Sequence, residues 1–177
     1  LLLDALGKER DADSRARITA ALDSITVAAH TRLLALEWAH ANEHVQAYAL
    51  ERVASFPDAG LVERARALYV ALLARAEDPK AKDKPDEEQL DRAAITALST
   101  GALEGLPRCL ALAERDWKRS GERLRTAAAG AKGPAADVLL EAALTGASSD
   151  NARVATLLIL GVAGTNECVS VVRQFLD

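Results

Sequence analysis

The sequence predicts an all-α protein assembled from about five stacked helix–turn–helix units with a terminal half-unit. Three observations predict it. First, 38 Ala and 27 Leu make up over a third of the 177 residues, and half of all residues are apolar while only 3% are aromatic. Ala and Leu favour helices, whereas the β-branched and aromatic residues that strands prefer are scarce, which excludes an all-β fold. Second, the apolar residues recur at spacings of three and four, the period that lines one face of a helix. Third, one pattern repeats along the chain: a small or apolar residue, a polar one, then small or apolar positions four, seven and eight further on. The high apolar fraction and a net charge of only -4 argue against disorder.

The breaks between helices fall at Arg10–Asp13, Ala41–Glu43, Phe56–Gly60, Thr100–Gly105, Gly130–Pro134, Gly146–Asp150 and Gly161–Asn166. They divide the chain into about eleven helices of roughly 8–16 residues, an ordinary globular length. The repeated pattern starts at Ser14, Val45, Leu90, Leu124 and Ala152, at intervals of 31, 45, 34 and 28 residues. Its second position holds Arg15, Gln46, Asp91, Arg125 and Arg153, and its fourth-on column Ile18, Ala49, Ala94, Ala128 and Thr156. The eighth-on column is Leu22, Val53, Leu98, Lys132 and Leu160, apolar except at Lys132. A shorter apolar helix precedes each copy, around Leu2–Gly7, Leu33–Ala39, Ala67–Ala76, Leu106–Ala113 and Ala136–Leu144, and a half-unit follows at Glu167–Leu176.

The units therefore run over 1–30, 31–60, 61–104, 105–134 and 135–166, with the half-unit at 167–177. Pro107 and Pro134 sit where first helices begin, a position that tolerates proline because first-turn N–H groups have no intrahelical partner. The long third unit contains Glu77–Glu88, EDPKAKDKPDEE, which cannot bury itself and reads as a mobile loop between two helices. Each unit exposes an apolar face that only its neighbours can cover, and the small fourth-on residues let adjacent helices approach closely.

The stretch SSDNARVATLLILGVAGTNECVSVVRQFL resembles a HEAT or HEAT-like (PBS-lyase-type) repeat, in which a turn with Asp leads into a helix of Val-Arg-x-x-Ala-x-x-Ala-Leu-Gly type. LDRAAITALSTGALEGLPRCLALA at Leu90–Ala113 is similar, and the other units match more weakly. The resemblance implies a right-handed α-solenoid whose second helices line a concave, protein-binding face. It does not name a partner. Some DNA glycosylases and phycobilin lyases share this scaffold, so it also implies an alternative: an enzyme or a nucleic-acid reader. A glycosylase needs basic residues on several successive second helices and an acidic group among aromatics. One basic segment and two Trp residues far apart in sequence do not supply that. A purely structural spacer is the third reading.

No apolar run approaches the roughly 18 residues that cross a bilayer. Leu1-Leu2-Leu3-Asp4 has neither a preceding basic segment nor a small-residue cleavage site and does not read as a signal peptide. It lacks an initiator Met and reads as the start of a helix, so a longer parent protein is expected. Two Cys residues are too few for a disulfide scaffold and point to a reducing compartment, with cytoplasm as the default. The phosphate-loop, nucleophile-elbow, His-Glu-x-x-His and Cys-x-x-Cys signatures are all missing, so the expectation is a non-enzyme without a cofactor. Gly130-Ala131-Lys132-Gly133 has no hydroxyl residue after its Lys and reads as an inter-repeat turn.

Glu37, His40 and His44 would share a face only on one continuous helix. The register instead puts Ala41–Glu43 in a turn with Asn42 as its cap, so the two histidines, like His30, read as turn residues and no metal site is expected. Cys109 and Cys168 fall two units apart, beyond disulfide reach, and read as small buried packing residues. The densest basic segment is Arg108–Lys132. Within it Arg115, Trp117, Lys118, Arg119, Arg123 and Arg125 surround the turn into a second helix. This reads either as a solvated turn whose Trp tucks into the groove between repeats or, since a partly exposed Trp beside Arg has the composition of a binding hot spot, as a docking site. These six residues are the candidate site for a protein partner carrying an acidic segment. Nucleic acid is disfavoured because the chain as a whole is acidic.

Overall fold

A computed structural model describes residues 1–175, apart from the side chain of Ser170. It contains ten α-helices linked by short 3₁₀ turns, with about 80% helix and no strand among the described residues. Leu176 and Asp177, the end of the expected half-unit, lie outside the described residues.

α1 (Leu2–Lys8) and α2 (Ala12–Ile25) open the chain, and α2 begins where the Asp11 carboxylate accepts from the Ser14 N–H at 2.7 Å. The next segment departs from expectation. Instead of one helix over Leu33–Ala39 there is α3 (Thr31–Leu34) followed by a 3₁₀ stretch, Ala35–Ala39. The three-residue period carries Ala35 and Trp38 to the same buried side and leaves Leu33 and Leu36 exposed. The Trp38 carbonyl, free of a helical partner, accepts from Gln46 Nε2 at 2.5 Å.

α4 (Glu43–Ser55) starts at the expected cap. The Asn42 side-chain oxygen accepts from the N–H groups of His44 and Val45 at 3.0 and 3.3 Å, and its Nδ2 donates to the Gly7 carbonyl at 2.8 Å. One side chain thus closes α4 and ties it to α1.

α5 (Val62–Glu77) and α6 (Glu87–Thr100) flank the charged insert, which is shorter than expected. Only 78–86 lies between the helices, because Asp86 caps α6 and draws Glu87 and Glu88 into its first turn, where acidic residues favour the helix dipole. The link folds back on the end of α5: Lys84 Nζ donates to the Ala76 carbonyl at 3.1 Å, and Asp83 lies 3.7 Å from Arg75. α6 is the most enclosed helix, buried at every residue from Ala93 to Thr100, and it ends on Gly101 in the left-handed region at φ 105°.

α7 (Leu106–Gly130) joins the expected first and second helices of the fourth unit through a kink. Asp116 takes φ -154° and ψ 64°, and its carboxylate accepts from the Arg119 N–H at 3.2 Å, so it caps the second half as an N-cap residue does. α8 (Pro134–Thr145), α9 (Asp150–Ala163, capped by Ser149) and α10 (Val169–Arg173) complete the described fold.

α1 packs on α2 and α4, α4 on α6, α6 on α5 and α7, α7 on α9, and α9 on α8. α2 meets α4 through Thr26 and Tyr48, whose hydroxyls are 2.9 Å apart, and through Asp23, 3.3 Å from Arg52. The repeat columns are inside: Ala49, Ala94, Ala128 and Thr156 are buried, as are Leu22, Val53, Leu98 and Leu160, while Ile18 is half-buried. Lys132 is exposed because α7 has already ended at Gly130.

The α8–α9 pair meets the following link at a buried carboxylate that the sequence does not advertise. Asp137 accepts from the Thr165 N–H at 2.9 Å and from the Thr165 hydroxyl. Asp137→Ala is expected to cost about 1–3 kcal/mol, the penalty of leaving such groups without their partner. Urea unfolding checks this, and a midpoint equal to wild type would show that the lock does not hold.

Candidate functional site

The candidate residues meet the rest of the protein in a groove where α7 runs beside α6 and α4. Arg115, Arg119 and Arg123 project from α7 into a cleft of about 320 Å³, with Glu88, Asp91 and Arg92 of α6 among the residues opposite. A second cleft of about 390 Å³ continues past Arg123 and Ile95 to Glu51 and Arg52 of α4. Neighbouring helices bring these residues together, and their sequence separation conceals it.

Carboxylates orient most of the guanidinium groups. Arg92 donates from Nε to Glu51 at 3.1 Å and from Nη2 to Glu88 at 2.6 Å, and Arg123 approaches the same Glu51 at 3.6 Å. Asp91 accepts from Arg108 Nε and from Arg115 Nη2, each at 2.7 Å. Glu87 completes this side, accepting from Arg108 through its carboxylate and its carbonyl and lying 4.0 Å from Arg115.

Two kinds of carboxylate are present. The side chains of Asp91 and Glu51 are only 14% and 35% exposed, whereas those of Glu87 and Glu88 are 75% and 67% exposed. Burial works against the charge of Arg108, yet Glu87 and Asp91 hold its guanidinium above the usual arginine range. Arg108 therefore belongs to the α6–α7 joint and is not free for a ligand.

Arg119 differs from its neighbours. It lines the cleft and has no carboxylate within ion-pair distance among the described residues. Lys118 and Arg125 are also exposed, but they lie outside the cleft lining. Trp117 does not stand out as an exposed anchor. It is half-buried against the core with its ring on Gly121, where an added Cβ would come within 2.7 Å of the ring. The absence of a side chain at Gly121 lets the indole lie down on the helix and leaves the ring partly exposed.

Of the six candidate residues, the fold gathers Arg115, Arg119 and Arg123 in the cleft. The sequence reading missed Glu51, Glu87, Glu88, Asp91 and Arg92. Asp91 holds the polar second position of the repeat, which marks it as lying off the core; no signal within the sequence places Arg92 or the glutamates beside the arginines.

The other candidates fall elsewhere. His40 is in the link before α4, its Nδ1 accepting from the Asn42 N–H at 3.0 Å, while His44 is within α4. Among the described residues, no three His, Cys, Asp or Glu side chains gather as a metal ion would need. Cys109 and Cys168 are buried and unbridged, and burial pushes both thiols up from their usual range, Cys109 strongly. A thiol held protonated in this way is a poor nucleophile. No helix among the described residues is long and apolar enough to cross a membrane. Comparison with family models, curated proteins and solved structures gives no match.

Proposed function

We propose that the chain is a HEAT-like, right-handed α-solenoid that serves as a non-enzymatic protein-binding scaffold and takes an acidic segment of its partner into the α4–α6–α7 groove. The single observation that carries the reading is Arg119: a cleft-lining guanidinium with no carboxylate partner among the described residues, flanked by Arg115 and Arg123. An extended acidic segment can supply the missing anion, and guanidinium groups bind carboxylates with paired hydrogen bonds. The successive packing of α4, α6, α7 and α9 supports the solenoid arrangement, since each covers the next as stacked units must. The α6–α7 ion pairs support the scaffold role by fixing the arginines before a ligand arrives, which lowers the ordering cost of binding.

Arg119→Glu is the cleanest test, because reversing that side chain breaks no ion pair among the described residues. Capture of an acidic peptide should weaken by about ten-fold or more, the value of one charge-assisted hydrogen bond. Adding Arg123→Glu should abolish capture, while the helical circular dichroism signal stays at its wild-type level. Binding by the unaltered chain should also decline as salt rises. Undiminished capture by the double variant would move the site elsewhere, and retention of duplex DNA at physiological salt would favour a nucleic-acid reader instead.

A further inference from the structure

The groove is already partly filled by the chain's own acidic side chains, and they fill it unequally. Arg92 is held on its inner side by Glu51 at 3.1 Å and on its outer side by Glu88 at 2.6 Å. Arg115 is held on its inner side by Asp91 at 2.7 Å, and the Glu87 carboxylate, which accepts from Arg108, lies 4.0 Å from it. The inner carboxylates are shielded by the helices and set where the guanidinium groups point. The outer two belong to the first turn of α6 and extend into solvent, 75% and 67% exposed. Solvent on the carboxylate side screens each pair, so these outer carboxylates exchange for another anion more readily than Glu51 and Asp91 do.

We infer that Glu87 and Glu88 are a built-in competitor: Glu88 occupies the outer side of Arg92, Glu87 reaches from Arg108 to within 4.0 Å of Arg115, and an acidic segment must displace them to bind. This rests on the reading of the groove as a site for an acidic segment, and it specifies which acidic ligands can enter. Glu87 and Glu88 are tethered beside their arginines, so their effective concentration is high and a lone carboxylate in solution displaces them poorly. A segment with several carboxylates gains Arg119 and Arg123 as well and can replace both. The competitor thus screens out single acids and admits polyacidic segments. The backbone tie from Arg108 to the Glu87 carbonyl, at 3.0 Å, keeps the first turn of α6 in place after the Glu87 carboxylate is released.

The test uses the full chain and a fluorescein-labelled deca-glutamate peptide, followed by anisotropy at moderate salt. The Glu87→Gln/Glu88→Gln variant should bind about five-fold more tightly or better, the value of one to two exposed ion pairs lost as competition. Removing any two negative charges also favours an anionic probe, so the control is Glu63→Gln/Glu167→Gln, the same charge change outside the groove, with an expected effect of about two-fold or less. Glutamate as the free amino acid should compete for the probe better with the variant than with wild type. Should the first variant lose helicity, Glu88→Gln alone leaves the Glu87–Arg108 tie intact and should still tighten binding. Equal tightening by the groove variant and the control, with binding still dependent on Arg119, overturns the competitor and leaves the groove reading standing. Failure of every variant to bind the peptide overturns both.

Discussion

Replacing Leu98 with Ala is expected to destabilise the protein by about 2–5 kcal/mol, and Leu160→Ala by a similar amount, as other large-to-small changes in packed cores do. Both leucines sit in the eighth-on column of the repeat. Leu98 is fully enclosed, and Leu160 is 3% exposed. Leu98 lies in α6, which has α4, α5 and α7 as neighbours, so the surroundings have little freedom to collapse into the space. The larger loss is therefore expected at Leu98. Lys132 occupies the same column of the sequence pattern, yet Lys132→Ala should change stability by less than about 0.5 kcal/mol, as exposed positions do. Urea unfolding of the three variants checks the series. A Lys132→Ala loss matching that of Leu98→Ala would mean that the second half of α7 continues past Gly130 into the core.

The helical period was legible because it depends on residues close in sequence. α4, α6 and α9 fall where the pattern starts at Val45, Leu90 and Ala152, and Asn42 was recognisable as a cap because a cap needs only the turn it closes. Features that depend on neighbouring helices were not legible. The 3₁₀ course of Ala35–Ala39 follows from seating Trp38 in the core, and no local preference announces it. Glu87 and Glu88 looked like the tail of a charged loop until Asp86 capped a helix in front of them. Arg115, Arg119 and Arg123 were visible as a basic run, but Glu51 lies far earlier in the chain, and only the contact between α4 and α6 brings it under Arg92. The seating of Trp117 has a more local cause: Gly121, one turn later, leaves room for the ring.

The glycines at the two ends of α7 fall in breaks between helices in the sequence, and the fold gives them a further role. The kink at Asp116 turns α7 so that both ends return to α6. An added Cβ at Gly105 would lie 2.4 Å from the Ala94 carbonyl oxygen, and one at Gly130 only 1.9 Å from the Ser99 carbonyl oxygen. The obstructing atoms are backbone in both cases, so no side chain can swing aside and the two helices must separate. Gly130→Ala is therefore expected to cost about 2–3 kcal/mol or more, at the upper end of overpacking penalties. For a chain of this size that loss lowers the melting temperature by roughly 4–12 °C. Gly161 provides the contrast: it is exposed in α9, and an added Cβ there meets nothing within 4 Å. Gly161→Ala should raise stability by about 0.5–1 kcal/mol, since alanine restricts the unfolded chain and favours the helix. Thermal unfolding of the two variants side by side tests the close approach of α6 and α7. A Gly130→Ala protein that melts with wild type would place those helices farther apart than the fold described here requires.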